Sequence, residues 1–291
     1  MDVKNAFLNG DLREEVYMQP PLRLEHPPNK ACRLKRALYG LTQAPRAWFA
    51  KFSTTISEFG LEVTSSDDGY LLSQTKYAFD LISKVGLTDS KTTSTPLEPN
   101  VRLTSMDGSP LADLTCYRQL VGSLIYLTIT RPGIAYAVHV VSQFMATPRS
   151  THYAVVLRII RYIKGTIFHG LHFSAHSSLE LRAYFDADWA GDFDDRKSTI
   201  GYCLFLGDSL ISWHSKKQTV PSRSSTEAEY RALGDTTSEL LNLHWLLKDM
   251  SVPQPPAINL YCDNQSAMQI AHNDVFHERT KHIELVSLQP P

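Results

Sequence analysis

The sequence predicts an α/β fold in which a mixed sheet with flanking helices occupies the C-terminal part of the chain. Residues 179–186 alternate between apolar and polar side chains, which is typical of a strand with one buried face. Residues 226–250 repeat apolar side chains at the spacing of a long helix. The predicted order from 179 to 273 is three strands, a helix, a strand and a helix, which favours a mixed sheet covered by helices.

Local signals define the other elements of this region. The segments GYCLFLG and LISWHSK predict a hairpin, because Gly207 and Asp208 between them supply a turn. The long helix is expected from about Thr226 to Met250. After it, INLYCD predicts a short apolar strand, and NQSAMQIAHN begins a further helix.

Composition divides the chain into four regions, which are residues 1–68, 69–105, 106–170 and 171–291. The second begins with an amphipathic stretch in which Tyr77, Leu81 and Val85 recur at helical spacing, and it then becomes a linker rich in Thr, Ser and Pro. The third predicts two helices, around CYRQLVGSLIYLTIT and THYAVVLRIIRYIKG. The dipeptide Arg131-Pro132 separates them, since a proline disfavours helix at the residue before it.

Bulk properties exclude several classes of protein. A length of 291 residues suits roughly two domains, and no apolar run is long enough to span a membrane. The start, DVKNAF after Met1, has no secretory signal, so we expect an intracellular protein of the cytoplasm or nucleus. The four cysteines are far apart and form no CxxC pair, which predicts reduced, buried thiols rather than disulfides or a zinc site. The net charge of −1 argues against a protein that coats nucleic acid.

Three acidic residues from separate segments predict a metal site. Asp186 and Asp263 each come at the end of a predicted strand, and Glu229 lies near the start of the long helix. Carboxylates delivered from different elements are how proteins bind hard divalent cations. A two-metal site of this kind cleaves phosphodiesters. Asp188, two residues after Asp186, is a secondary candidate ligand.

The phase of the long helix selects Glu229 over Glu227. Glu229 shares its face with Ala232, Leu233 and Leu240, which must pack on the sheet, whereas Glu227 shares the opposite face with Arg231. A carboxylate on a buried face is costly unless something compensates for it. Taken alone, a glutamate favoured by the helix dipole explains the position equally well. Together with the two aspartates, the metal interpretation is favoured.

Basic residues and histidines give weaker candidates for nucleic-acid contacts. One basic stripe lies on the second helix of region 106–170 and consists of Arg158, Arg161 and Lys164. An ordinary solvated helix face is slightly favoured over a surface that binds phosphates. A second group, better placed beside the acids, consists of Lys216, Lys217 and Arg223. The equal spacing of His272, His277 and His282 invites a zinc interpretation, which the lack of a cysteine pair disfavours.

Two long stretches resemble a known family. The segments YFDADWAGDFDDRKSTIGYCLFLGDSLISWHSKKQTVPSRSSTEAEYRAL and LYCDNQSAMQIAHNDVFHERTKHIEL resemble the ribonuclease H domain of Ty1/copia retrotransposon polyproteins. MDVKNAFLNGDLREEVYM and LKRALYGLTQAPRAWF are similar to the reverse transcriptase of the same polyproteins, and YRQLVGSLIYLTITRP to the segment joining the two enzymes.

The resemblance implies that the protein hydrolyses the RNA strand of an RNA–DNA hybrid. The reaction would use two Mg²⁺ ions, or Mn²⁺, and the partners would include other Pol or Gag parts of the retroelement. Asp186, Glu229 and Asp263 match three of the four metal-binding acids of the family, and His282 is kept as a contact near the site. The fourth acid lies further along than Glu284, and the last strand and helix are expected beyond VSLQPP. We therefore expect a C-terminally truncated ribonuclease H-like domain, impaired in activity.

The resemblance also implies an incomplete reverse transcriptase, with a palm remnant at 1–68, a thumb-like helix and linker at 69–105 and a helical connection at 106–170. Asp2 matches a polymerase aspartate, but the chain contains no YxDD motif. Asp67-Asp68 lacks the preceding apolar strand and is predicted to be a solvated turn, with the YxDD segment deleted between about Asp68 and Tyr70. We expect no DNA synthesis. A non-catalytic remnant that binds nucleic acid, or has no function, is the alternative to an impaired nuclease.

Overall fold

The computed structural model describes residues 11–19, 31–36, 54–58, 60–87, 91–273 and 286–289. Strands β1 (Asp11–Met18) and β2 (Cys32–Arg36) form an antiparallel pair. Residues 54–58 are helical and are named α1. These elements lie in the region that resembles a polymerase palm, and they contribute nothing to the site described below.

A three-stranded antiparallel sheet follows, formed by β3 (Glu62–Ser66), β4 (Gly69–Ser73) and β5 (Leu171–Ser174) in that order. Its first turn is Asp67-Asp68, and both residues are exposed, so the predicted solvated turn is confirmed. Gly69 has φ 140°, and a Cβ there would collide with the carbonyl oxygen of Phe173. Close approach of β4 and β5 therefore requires a glycine at this position.

Four helices pack into one helical unit, which is α2 (Thr75–Lys84), α3 (Leu114–Leu127), α4 (Ala135–Ser142) and α5 (Ser150–Gly165). The amphipathic stretch of region 69–105 is helical only from Thr75, because its first residues pair with β3. The predicted break at Arg131-Pro132 is confirmed, with a 3-10 turn at Pro132–Ile134. Two helices were predicted in region 106–170, and α4 is a third. Its eight residues are largely apolar on all sides, so they carry no helical period to detect.

The C-terminal sheet has five strands in the order β10-β9-β6-β7-β8. They are β6 (Leu181–Ala187), β7 (Thr199–Leu206), β8 (Ser209–Lys217), β9 (Ile258–Tyr261) and β10 (Val286–Gln289). Strand β7 is antiparallel to β6 and β8, whereas β9 is parallel to β6. Helix α6 (Ser225–Asp249) packs on the apolar face of this sheet, and α7 (Gln265–Ala271) follows β9. The predicted mixed sheet and its element order are confirmed.

The sequence did not predict the last strand of the sheet. Residues Val286–Gln289 were expected to lie before the final strand of the fold, yet they form β10 and pair in parallel with β9. Backbone pairing depends little on which side chains a short edge strand carries, so a segment unlike the family in sequence still occupies the edge. The expected truncation of the fold beyond VSLQPP stays a prediction.

The helical unit contacts the five-stranded sheet directly. The indole Nε1 of Trp213 on β8 donates a hydrogen bond to the carbonyl oxygen of Thr128, just after α3, at 3.2 Å. The Nζ of Lys217 donates to Oε1 of Gln143, just after α4, at 3.0 Å. The four cysteines are all free, but only Cys262 is buried as predicted, whereas the other three are partly exposed. Within the described residues, no helix combines the length and the apolar character that crossing a membrane requires.

Candidate metal centre

The three predicted acids come from three elements that meet at one edge of the five-stranded sheet. Asp186 lies near the end of β6, and Asp263 follows β9 by two residues. Because β6 and β9 are parallel neighbours, with Tyr184 opposite Tyr261, their carboxyl ends lie side by side. Glu229 enters from the first turns of α6, which the side chain of Ser224 caps by accepting a hydrogen bond from the backbone N–H of Glu227.

Glu229 is buried, as the helix phase predicted. Its exposed fraction is 4%, and its Oε1 accepts a hydrogen bond from the backbone N–H of Ala187 at 3.1 Å. Glu227, two residues earlier, instead forms an ion pair with Arg231 at 2.6 Å. Among the described residues, Oε2 of Glu229 has no hydrogen-bond partner. A buried carboxylate oxygen without a partner is costly, so something outside the chain is needed to compensate for it.

The electrostatics of the cluster favour the neutral form of Glu229. Burial, together with the adjoining Asp186 carboxyl and the charge of Asp263, raises the pKa of Glu229 to about 7, against the lowering effect of the Ala187 N–H. Crowded carboxylates repel one another, and a divalent cation relieves that repulsion. The donor set, three carboxylates with one orphaned buried oxygen, therefore fits hard divalent cations.

Cys262 is a member of this cluster that the sequence prediction missed. The ligand atoms of Glu229, Cys262 and Asp263 all lie within 4.8 Å of one another. Burial and, to a lesser degree, the three nearby acids together raise the pKa of the Cys262 thiol to about 11. The sequence predicted a buried, reduced thiol, which is confirmed, but gave no reason to place it beside the acids. Its position immediately before Asp263, at the end of a strand, was the available signal.

Asp188 lies beside the cluster rather than within it. Its Oδ1 accepts a hydrogen bond from the backbone N–H of Thr199 at 2.6 Å, which holds the loop after β6 against β7. Burial raises the pKa of Asp188, and the nearby charge of Asp186 acts in the same direction. Asp186 and Asp188 both line a cavity of about 490 Å³ between the sheet and the helical unit. The opposite wall includes Tyr136 of α4.

The basic residues predicted beside the acids differ in their surroundings. Lys217 contacts Asp192 at 2.6 Å and Asp195 at 2.9 Å, and its side chain is only 20% exposed. Burial alone would lower the pKa of Lys217, but the hydrogen bonds with Asp192 and Asp195 raise it overall. Lys216 and Arg223 are exposed. A role for these three residues in nucleic-acid binding stays a prediction, and the ion pairs of Lys217 favour a structural role for it.

The basic stripe on α5 is partly covered by the linker that precedes α3. Arg158 forms an ion pair with Glu98 at 2.9 Å and donates a hydrogen bond to Oγ1 of Thr95 at 3.0 Å. Lys164 donates to the carbonyl oxygen of Leu87 at 3.1 Å. Arg161 lies between them and is half-buried. Two of the three cations thus already have partners within the chain, which disfavours the stripe as a phosphate guide.

Of the four predicted positions that remain, the structure describes only His272. His272, directly after α7, is exposed. His277, His282 and Asp2 lie outside the described residues. The zinc interpretation of the histidines, the contact assigned to His282 and the polymerase role of Asp2 therefore stay predictions.

Comparisons with known proteins agree with the resemblance in the sequence. A family model described as "Reverse transcriptase (RNA-dependent DNA polymerase)" matches residues 1–62. The "Retrovirus-related Pol polyprotein from transposon RE1" of Arabidopsis thaliana is 38% identical over 98% of this chain and 24% of its own length. The "Uncharacterized mitochondrial protein AtMg00810" of the same species is 45% identical over 62% of this chain and 75% of its own. The chain thus spans about a quarter of the length of the polyprotein it matches.

A solved structure gives a weaker likeness. Ribonuclease H1 from the archaeon Halobacterium salinarum NRC-1 covers 38% of this chain and 86% of its own, with 16% sequence identity and a TM-score of 0.27. A score of that size does not by itself establish a common fold. The alignment with the RE1 polyprotein extends over 352 residues, more than the 291 of this chain, so the relative contains positions without a counterpart here. The deletion predicted between about Asp68 and Tyr70 stays a prediction, since the alignment length does not say where those positions lie.

Proposed function

This chain belongs to the Pol polyproteins of Ty1/copia-type retrotransposons, and from that membership we propose that its C-terminal α/β region is a ribonuclease H. The proposed reaction is hydrolysis of the RNA strand of an RNA–DNA hybrid, assisted by two divalent metal ions. One observation carries the proposal. The carboxylate of Glu229 is buried beside Asp186 and Asp263, and among the described residues its Oε2 has no hydrogen-bond partner, as expected for a metal ligand.

The proposed roles follow from the geometry of the acids. Asp186, Glu229 and Asp263 would hold the ions, with Asp188 at the edge of the cluster. When bound, Mg²⁺ lowers the pKa of an attacking water and stabilises the leaving oxygen. The Ala187 N–H fixes Oε1 of Glu229, which prevents the carboxylate from turning away from Asp186. Of these acids, Asp186 and Asp188 also line the cavity between the sheet and α4, which we propose as the approach for the hybrid.

The proton on Glu229 competes with the metal. Since the pKa of Glu229 is raised to about 7, a large fraction of the protein carries that proton at neutral pH when no cation is bound. Metal binding must displace it, so the affinity for Mg²⁺ should rise as the pH increases through about 7. The proposal thus includes a pH dependence that an ordinary surface carboxylate would not produce.

The deciding experiment measures cleavage of an end-labelled RNA–DNA hybrid by the full chain with Mg²⁺. Cleavage by the wild-type protein that falls at least ~100-fold in Glu229→Gln supports the proposal, because one ligand of the pair of ions is lost. The matched control is Glu227→Gln on the exposed face of the same helix, which should keep most of the activity.

Two outcomes would count against it. Cleavage that survives Glu229→Gln would contradict the site. No cleavage by soluble, folded wild-type protein would contradict the nuclease and favour the non-catalytic alternative, which a hybrid-binding measurement on the same sample then tests.

A further inference from the structure

The thiol of Cys262 lies where a metal ligand would lie. Cys262 follows β9 directly and has an exposed fraction of 2%. Its Sγ lies within 4.8 Å of carboxylate oxygens of both Glu229 and Asp263. The thiol makes one long contact, from Sγ to the carbonyl oxygen of Asn264 at 3.8 Å. The sulfur is therefore weakly held and adjoins two oxygen ligands.

A set of one sulfur and two oxygens differs in chemistry from the carboxylate set proposed for magnesium. Mg²⁺ takes oxygen ligands, whereas thiolates select softer ions such as Zn²⁺. Zinc binds sulfur at about 2.3 Å and carboxylate oxygen at about 2.0–2.2 Å in a tetrahedron, which places the two ligand atoms roughly 3.5 Å apart. The ligand atoms lie within 4.8 Å of one another, so a movement of little more than about 1 Å would bring them to that separation.

A second observation points independently to a ligand. Glu229 has an exposed fraction of only 4%, and among the described residues its Oε2 has no hydrogen-bond partner. A carboxylate oxygen of Glu229 lies within 4.8 Å of the ligand atoms of Cys262 and Asp263, so the residue with the unsatisfied oxygen is a member of the group. The cluster therefore combines an unsatisfied buried oxygen with a thiol, and Asp263, which is exposed, leaves it open to solvent.

We propose that Cys262, Glu229 and Asp263 bind a thiophilic divalent cation, Zn²⁺ or Cd²⁺, at a site that overlaps the proposed magnesium centre. The thiol loses its proton to solvent when the metal–sulfur bond forms. Binding itself needs no nuclease activity. A further consequence, which rests on the proposed function, is that such a cation excludes the second magnesium ion and inhibits cleavage, because both sites use Glu229 and Asp263.

The test uses Cd²⁺ and the full chain without magnesium, and it follows the ultraviolet charge-transfer band of the cadmium–thiolate bond. The wild-type protein should show the band, and Cys262→Ser should lose it together with at least a tenfold loss in Cd²⁺ affinity. The matched control is Cys203→Ser. Cys203 is a half-buried thiol in the middle of β7, opposite Tyr184 and Trp213, and its removal should leave the high-affinity band unchanged. A full band in Cys262→Ser would overturn the proposal.

A second variant covers the case in which Cys262→Ser does not fold. Glu229→Gln keeps the thiol but removes a charged ligand, so Cd²⁺ affinity should fall at least tenfold, and unchanged affinity in folded protein would overturn the shared site. The inhibition arm compares the Zn²⁺ concentration that halves hybrid cleavage in wild-type and Cys262→Ser protein, which should be lower for the wild type. Equal concentrations would overturn the inhibitory overlap. If no cleavage is seen but the band is present, the nuclease proposal fails and the thiol site stands.

Discussion

The backbone N–H of Ala187 donates a hydrogen bond to Oε1 of Glu229 at 3.1 Å, which joins the sixth helix to the strand that carries Asp186. Ala187 is the residue after Asp186, so this bond sets the distance between the two carboxyl groups. It satisfies Oε1 of Glu229, whereas Oε2 has no hydrogen-bond partner among the described residues. Several predictions about stability and metal binding rest on this contact.

The first prediction concerns how the free energy of unfolding depends on pH. The pKa of Glu229 is raised from 4.5 to about 7, so the folded state holds a proton that the unfolded state releases earlier. This contribution to stability is present below about pH 4.5 and is lost as the pH rises through about 7. In metal-free protein, Glu229→Gln should therefore be more stable than wild type at pH 8, by up to about 3 kcal/mol. The advantage should shrink toward pH 5, as measured by urea unfolding at both pH values.

Glu227→Gln is the control for this prediction. Glu227 lies two residues away, and an N–H of Arg223 and the charge of Arg231 lower its pKa rather than raise it. Its replacement should give no gain in stability at pH 8. A gain equal to that of Glu229→Gln would show that the effect is general to the helix and not to the buried cluster.

The second prediction concerns metal addition and removal. Ligands that bind only the folded state stabilise it by about 1.4 kcal/mol for each tenfold excess over the dissociation constant. Millimolar Mg²⁺ should therefore raise the melting temperature of wild-type protein at pH 8, and EDTA should reverse the rise. The shift should be absent in Glu229→Gln and in Asp186→Asn. A shift of equal size in Glu229→Gln would mean that the stabilising ion binds elsewhere.

The third prediction concerns Lys217, which joins the loop after the sixth strand to the helical unit. Its Nζ contacts Asp192 and Asp195 and donates to Gln143. Lys217→Met keeps the apolar stem but leaves the largely buried Asp192 without its cation, and should cost about 1–3 kcal/mol of unfolding free energy. Lys216→Met, at an exposed neighbouring position, should change it by less than about 0.5 kcal/mol. Equal effects of the two substitutions on thermal unfolding would contradict a structural role for Lys217.

The fourth prediction compares two glycines. Gly69→Ala places a Cβ against the carbonyl oxygen of Phe173 at a φ of 140°, and should destabilise the protein by about 1–3 kcal/mol. Gly122 lies exposed in the third helix, with nothing within 4 Å of an added Cβ, so Gly122→Ala should stabilise it by up to about 1 kcal/mol. Urea unfolding of both variants checks the opposite signs. A neutral Gly69→Ala would show that the fourth and fifth strands do not approach as described.

The fifth prediction is that the chain does not synthesise DNA. The sequence has no YxDD motif, and Asp67-Asp68 forms an exposed turn between two strands. We expect no extension of a primed RNA template above the protein-free background. Extension that is lost on Asp67→Asn substitution would contradict this prediction, because it would make that turn a catalytic one.

Periodic segments were the most predictable part of the fold. The alternation of Leu181, Ala183 and Phe185 identified the sixth strand, and the long helix extends over Ser225–Asp249, within a residue of its expected limits. Its phase also predicted the burial of Glu229 and the surface ion pair of Glu227. These predictions succeeded because strand and helix periods are local properties, set by neighbouring residues along the chain.

Elements without a period were missed. The fourth helix is short and apolar on all sides, and the last strand carries a sequence unlike the family. The partners of Lys217 were equally hidden, because Asp192, Asp195 and Gln143 reach it from separate segments. Such contacts depend on how distant segments pack, which no short window of sequence records.

By itself, the sequence determined which acidic residues lie at strand ends and on the buried side of a helix, because about 3.6 residues per turn is enough to assign each side chain to a face. The tertiary structure alone decided how those acids meet. Parallel pairing of the sixth and ninth strands brings Asp186 beside Asp263, and the Ala187 N–H holds Glu229 between them. The same packing places the Cys262 thiol beside the carboxylates of Glu229 and Asp263. The sequence could not show this, because burial and proximity depend on residues that are far apart in the chain.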